Sequence, residues 1–109
     1  MTRLASDMWV SAYLTRLRME AIPAFITSKG DATAGAVLVK IALMNGTAEA
    51  FQRRFDFETG DRIWMSLAQG DERDVDAAIA KQRDFDPDLW VVEVEDPKGR
   101  HLLEDPSHG

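Results

Sequence analysis

Cysteine is absent from the sequence, and that one absence removes a disulfide framework, a thiolate zinc site and a cysteine nucleophile together. Long hydrophobic runs are also missing: none approaches the ~18 apolar residues of a membrane span. The opening residues MTRLASDMWV hold an early acid and no apolar stretch, so no signal peptide is expected and the setting reads as cytoplasmic. Histidine is scarce, with His101 and a second, His108, next to the end of the chain. No serine sits in a G-x-S-x-G elbow, and no G-x-G-x-x-G or phosphate-cradling loop occurs. Nucleophile, base and anion nest are therefore all wanting, which turns the reading away from an enzyme.

What remains is ordinary globular material. The 109 residues are 45% hydrophobic and 29% charged, the size and composition of one domain over 1–109. Within it an ordered core of about 7–103 and a flexible tail of 104–109 are expected. The formal net charge of -6 is unevenly placed: residues 1–69 carry +1, residues 70–96 carry -7 and residues 97–109 are neutral. Such asymmetry marks either an acidic interaction surface or the solvated face of one helix and its flanks.

The apolar spacing supplies the elements. Val10, Tyr13, Leu14, Leu17 and Ala21 recur at helical intervals behind the capping residues Ser6 and Asp7, and Pro23 stops the run, predicting a helix over 7–21. Residues 22–28 read as a strand. The stretch 35–44, GAVLVKIALM, is the best strand of the chain. Asn45-Gly46 then suits a two-residue hairpin turn, in which partners sum to 91 and Phe51 shares the Lys40 face. A bulge near Gln52-Arg53 would ease that register, and 48–57 is read as strand rather than helix. Residues 62–68 alternate Ile63, Met65 and Leu67 inward against Trp64 and Ser66 outward, with Gln69-Gly70 as a break. A second helix opens at Asp71, with Val75, Ala78, Ile79 and Gln82 inward and Phe85 closing it. Leu89–Glu95 is a strand with Trp90, Val92 and Val94 on one face, Asp96-Pro97-Lys98-Gly99 a tight turn, and Arg100–Leu103 a short edge strand. The order α-β-β-β-β-α-β predicts an α+β fold: an antiparallel sheet of about five strands with both helices on one face.

Two metal motifs dissolve on inspection. Asp84, Asp86, Asp88 and Glu95 match positions 1, 3, 5 and 12 of a calcium loop, but position 6 is Leu89 where the sharp turn needs glycine. Pro87-Asp88 and Asp96-Pro97-Lys98 echo a nuclease pattern, yet on one extended strand the acids stand ~26 Å apart at about 3.3 Å per residue. No metal or cofactor is expected. Arg53, Arg54, Arg62 and Lys40 would share a strand surface with Phe51 and Trp64, faintly like a base-stacking platform. A net charge of -6 opposes phosphate, so nucleic acid is not an expected partner.

The segments WVSAYLTRLRMEAIPAFI, KGDATAGAVLVKI and above all RDFDPDLWVVEVEDPKGRHLL resemble an alphaproteobacterial family known only as domain-of-unknown-function family 1491. The resemblance runs from about Met8 to Leu103 and brings no activity or catalytic residue with it. Two functions are carried forward. One is a non-enzymatic module that binds a protein partner or a second copy, with Trp64, Asp84, Asp86, Asp88, Glu93 and His101 as its candidate surface. The other is a small-molecule binder or enzyme using the carboxylates of Asp86 and Glu93 with His101, which requires those three to converge in a pocket.

Overall fold

The two most hydrophobic stretches of the chain lie side by side in the middle of one sheet. In a computed structural model, residues 4–55, 58, 60 and 62–103 are described, with Arg54, Phe55 and Arg62 described by their backbone alone. The elements are α1 (Ser6–Met19), β1 (Ala24–Ser28), β2 (Val37–Ala42), β3 (Thr47–Phe55), β4 (Arg62–Asp71), α2 (Glu72–Phe85) and β5 (Trp90–Glu95). The fold is α+β, with a five-stranded sheet in the order β1-β5-β2-β3-β4.

The sheet is mixed rather than wholly antiparallel. β5 inserts between β1 and β2 and runs parallel to β2, pairing Val37 with Trp90 and Lys40 with Glu93. The other pairings are antiparallel. Hairpins dominate the sequence and suggest only antiparallel neighbours. The parallel contact is long-range: it closes across β3, β4 and α2.

The helices lie on opposite faces of the sheet, not on one. On one side Trp9, Val10, Tyr13, Leu14 and Leu17 of α1 meet Val37, Val39, Ile41, Trp90, Val92 and Val94. On the other, Val75 and Ile79 of α2 meet Leu38, Ala48, Ala50, Leu89 and Val91. Every residue of β2 is consequently buried. A strand covered on both faces reads as a near-continuous apolar run, which is what GAVLVKIALM is. Alanines 48 and 50 leave room for α2 to sit close on its side.

The hairpin register differs from expectation by one residue. Partners sum to 90, as in Val39 with Phe51 and Ala42 with Ala48. The loop is three residues, Met44-Asn45-Gly46, closed by Leu43 N–H donating to Thr47 O at 3.0 Å. Met44 and Gly46 take the positive φ values, 63° and 89°. Asn45 instead accepts the Thr47 N–H and hydroxyl on its side-chain oxygen, at 3.0 and 2.6 Å. Because side chains alternate with period two, a one-residue slip turns each of them to the other face. Phe51 therefore packs on the α1 side, away from Lys40.

The bulge lies in β4, not at Gln52-Arg53. Ala50 pairs with Ala68 and Phe51 with Ser66, so Leu67 is the extra residue. It reverses the alternation: Leu67 and Ala68 both pack toward α2, whereas Trp64 packs against the α1 core. Ile63 and Met65, expected inward, are exposed, and Gln69-Gly70 continues the strand. Phe85 is exposed instead of closing α2. Arg100–Leu103 is irregular and not a strand, although Leu103 is buried beneath α1. The expected tail, 104–109, lies outside the described residues.

Local hydrogen bonds fix the connections. Ser6 is not a cap; its hydroxyl donates to Gly35 O at 2.6 Å and ties α1 to the start of β2. The Trp90 indole donates to Asp31 O at 2.7 Å. Gly30 and Gly35 lie against the Asp88 carbonyl, where a Cβ on Gly35 would stand 2.5 Å from that oxygen. Glycine is required at these positions by close approach of two backbones.

Val10 and Val75 each sit 1% exposed, in the two separate cores. Val10→Ala and Val75→Ala should each cost roughly 2 kcal/mol, two buried methyl groups at ~0.8 kcal/mol apiece plus a cavity. With the sheet between them, their effects in denaturant unfolding should add to within about 0.5 kcal/mol. A coupling above about 1 kcal/mol would contradict the three-layer arrangement.

Candidate functional site

The sheet places its polar and aromatic side chains in two separate groups, one on each face. On the α2 face the central feature is Lys40, in the middle of β2 and only 4% exposed. Its ammonium lies 2.7 Å from Glu72, 2.7 Å from Asp76 and 3.4 Å from Glu93. Glu72 and Asp76 are one turn apart at the start of α2, so a single helix face delivers both. Glu93 comes from β5 and is the register partner of Lys40. Burial alone would lower the lysine pKa. Hydrogen bonds to Asp76 and Glu72 and the charge of Glu93 outweigh it and hold the group above its ordinary value of 10.5.

On the α1 face the side chains are aromatic. Trp9 and Tyr13, four residues apart on α1, stack at 5.0 Å between ring centroids. Trp9 also meets Trp64 at 5.5 Å. The Arg53 guanidinium stands over both indoles, 5.0 Å from Trp9 and 5.8 Å from Trp64. This is cation–π geometry, worth about 0.5–2 kcal/mol per contact depending on desolvation. Phe51 packs on the His101 ring at 4.6 Å, and the Tyr13 hydroxyl donates to His101 O at 2.7 Å. His101 Nδ1 accepts the Leu103 N–H at 3.1 Å.

The segment carrying His101 is anchored by Asp96, which is buried. Its carboxylate accepts the Arg100 backbone N–H at 2.8 Å and the guanidinium at 2.9 and 3.2 Å. Arg100 holds the Asp96 carboxyl below its ordinary value, against a burial that would raise it. The tight turn from Asp96 to Gly99 forms as the sequence suggests, with Gly99 N–H donating to Asp96 O at 3.0 Å.

The six residues singled out in the sequence do not form one surface. Trp64 and His101 join the aromatic group on the α1 face. Glu93 belongs to the Lys40 group on the α2 face, so the sheet separates it from His101. Asp84, Asp86 and Asp88 gather where α2 ends, with Asp84 and Asp88 exposed. Asp86 accepts the Asp88 N–H at 3.1 Å and shapes the turn into β5. Among the described residues no group of three or more His, Cys, Asp or Glu is placed to hold a metal ion. Sequence reasoning grouped Arg53 with Phe51 and Trp64 but missed Trp9, placed Lys40 on that surface rather than on the opposite face, and missed the carboxylates around Lys40. The signals were a lone lysine inside an aliphatic strand and two acids one helical turn apart.

A family described as "protein of unknown function (DUF1491)" matches residues 4–104. The chain is similar to a DUF1491 family protein from Caulobacter crescentus CB15 seen in a crystal structure, with 42% identity and a TM-score of 0.86 over 95% of this chain and 98% of that one. A solution structure of protein Atu0922 from A. tumefaciens is similar at 30% identity and TM-score 0.78, covering 94% of this chain and 93% of that one. No curated protein matches.

Replacing Lys40 by methionine should leave three carboxylates facing an apolar side chain. The partners are partly solvated, so the loss should fall toward the lower end of the ~3–5 kcal/mol of a broken buried pair. A lysine whose pKa rises on folding stabilises the fold fully below pH 10.5 and loses that contribution as the pH climbs above it. Burial raises the Tyr13 phenol above its ordinary 10.0, so it loses stability over the same alkaline range. In denaturant titrations above pH 10, wild type should lose stability more steeply than Lys40→Met; equal slopes would count against the ion-pair assignment.

Proposed function

The chain belongs to the DUF1491 family, proteins of unknown function, and we propose that it is a non-enzymatic protein-interaction module working in the cytosol. One observation carries this reading. α1 rests mainly on β1, β5 and β2 and meets Arg53 of β3 and Trp64 of β4 through Trp9, so that β3 and β4 are only partly covered on that face. There Phe51, Arg53 and Trp64 form a half-buried aromatic and cationic floor beside His101. Tryptophan and arginine are the residues that most often dominate binding energy at protein interfaces. β4 is also an edge strand, and its opposite face exposes Ile63 (40%) and Met65 (47%). The outermost strand thus offers apolar side chains on both faces, which suits a protein partner or a second copy better than a small ligand.

The small-molecule or enzymatic reading needed Asp86, Glu93 and His101 in one pocket, and the sheet stands between the last two. A cysteine-free acidic chain supports the cytosolic setting.

The test is a quantitative affinity capture from cells that express the protein, with sedimentation analysis of the purified chain. The baits are wild type, Trp64→Ala/Arg53→Ala and the control Asp84→Asn. A partner, or a dimer, should be held by wild type and the control and lost at least tenfold by the double variant while its fold persists by circular dichroism. A partner held equally by all three would sink the assignment to this face.

A further inference from the structure

The opposite edge of the sheet carries a second, chemically different docking site. We propose that β1 receives an extended basic amphipathic segment of a protein partner as a sixth strand. The inference is independent of the Trp64 face.

β1 is an end strand paired with β5 alone. Natural edge strands are usually blunted by lysine, proline or an inward charge. The β1 sequence, AFITS, has none of these within it; Pro23 stands before it and the exposed Lys29 directly after it, and a shift between Ile26 and Ser28 is its one irregularity. Its outward apolar side chains are uncovered, Phe25 at 44% and Ile26 at 40%.

The two faces of this edge differ in charge. Phe25 pairs with Glu93, and Glu93 with Lys40, so the three form one row across the α2 face. α2 covers β2, β3, β4 and the start of β5, and no side chain of β1 belongs to its packed cluster among the described residues. Glu95 lies on the same face as Glu93, two residues along β5. Glu72, Asp76 and Glu93 are held by Lys40, so Glu95 and the side of Glu93 that Lys40 leaves open are the acidic groups nearest β1 on this face. Each carboxylate has acceptor sites beyond those that Lys40 occupies. A sixth strand would run about 4.8 Å outside β1 and ~10 Å from β5. A lysine or arginine on it, facing the Phe25 side, would lie over that ring and extend toward Glu93 and Glu95. Its neighbours in sequence would point to the other face, where Ile26 offers an apolar surface. Alternating basic and apolar residues therefore fit the edge. A second copy of the chain fits poorly, because its own β1, AFITS, has no basic residue to offer Glu93 and Glu95.

The experiment is an amide chemical-shift titration of the whole chain with a ten-residue peptide alternating lysine and valine, and with its glutamate–valine counterpart. The basic peptide should give saturable shifts in Ala24–Ser28 and Glu93–Glu95, weakening as salt rises. Phe25→Ser/Glu95→Gln should weaken binding at least tenfold. If that double variant does not fold, Glu95→Gln alone should weaken it about threefold. The proposal falls if the acidic peptide binds as well, if the shifts map to β4, if no saturation occurs up to millimolar peptide, or if a folded variant binds like wild type. A dimer joined through β1 would also overturn it.

Discussion

The arrangement rests on an ammonium group buried in the central strand. β2 is closed over on both faces, and Lys40 sits at its middle. Removing such an ion from water costs several kcal/mol unless partners satisfy it. Three carboxylates do so, two from α2 and one from β5. That requirement fixes more than the lysine. It sets how α2 lies on the sheet, since Glu72 and Asp76 reach one nitrogen only if the first turns of the helix pass over β2. It also agrees with the parallel register, because Glu93 stands opposite Lys40. Hydrophobic packing of Val75 and Ile79 is non-directional and would tolerate other placements; the ion pairs do not.

The same lysine conceals the architecture from a reader of the sequence. The helices, the strands, the α+β class and the turn at Asp96–Gly99 follow from periodicity and turn residues, which are local signals. GAVLVKIALM also reports burial on both faces, but Lys40 makes one face look half-solvated, and both helices are then assigned to a single side. Nothing local to β2 names its partners, which lie 32, 36 and 53 residues further on. The parallel β2–β5 contact escapes for the same reason.

Two single-residue offsets decide where the aromatic side chains point. Asn45-Gly46 suggests a two-residue turn, yet Asn45 spends its side chain on Thr47 and the loop takes in Met44. That slip moves Phe51 to the α1 face. The extra residue at Leu67 then lets Trp64 lie beside Phe51 and Arg53 while Leu67 and Ala68 both serve α2. Alternation read along β4 alone reverses these assignments. Trp64 and His101 are visible in the sequence as candidates, but the meeting of Trp64 with Trp9 and Arg53, and of His101 with Phe51, depends on these offsets.

The acidic quarter of the chain divides once its partners are known. Of the ten acids in residues 70–96, Glu72, Asp76 and Glu93 answer Lys40, Asp96 answers Arg100, and Asp86 shapes a turn. Half of the apparent acidity is therefore structural, and the exposed Asp84 and Asp88 do not join it into a single surface. What remains beside β1 on the α2 face is Glu95 and the part of Glu93 that Lys40 leaves open. The aromatic floor on the opposite face, beyond α1, has a cation of its own in Arg53. Opposite edges of one sheet thus present unlike chemistry, one acidic and one cationic–aromatic. The doubly covered β2 lies between them.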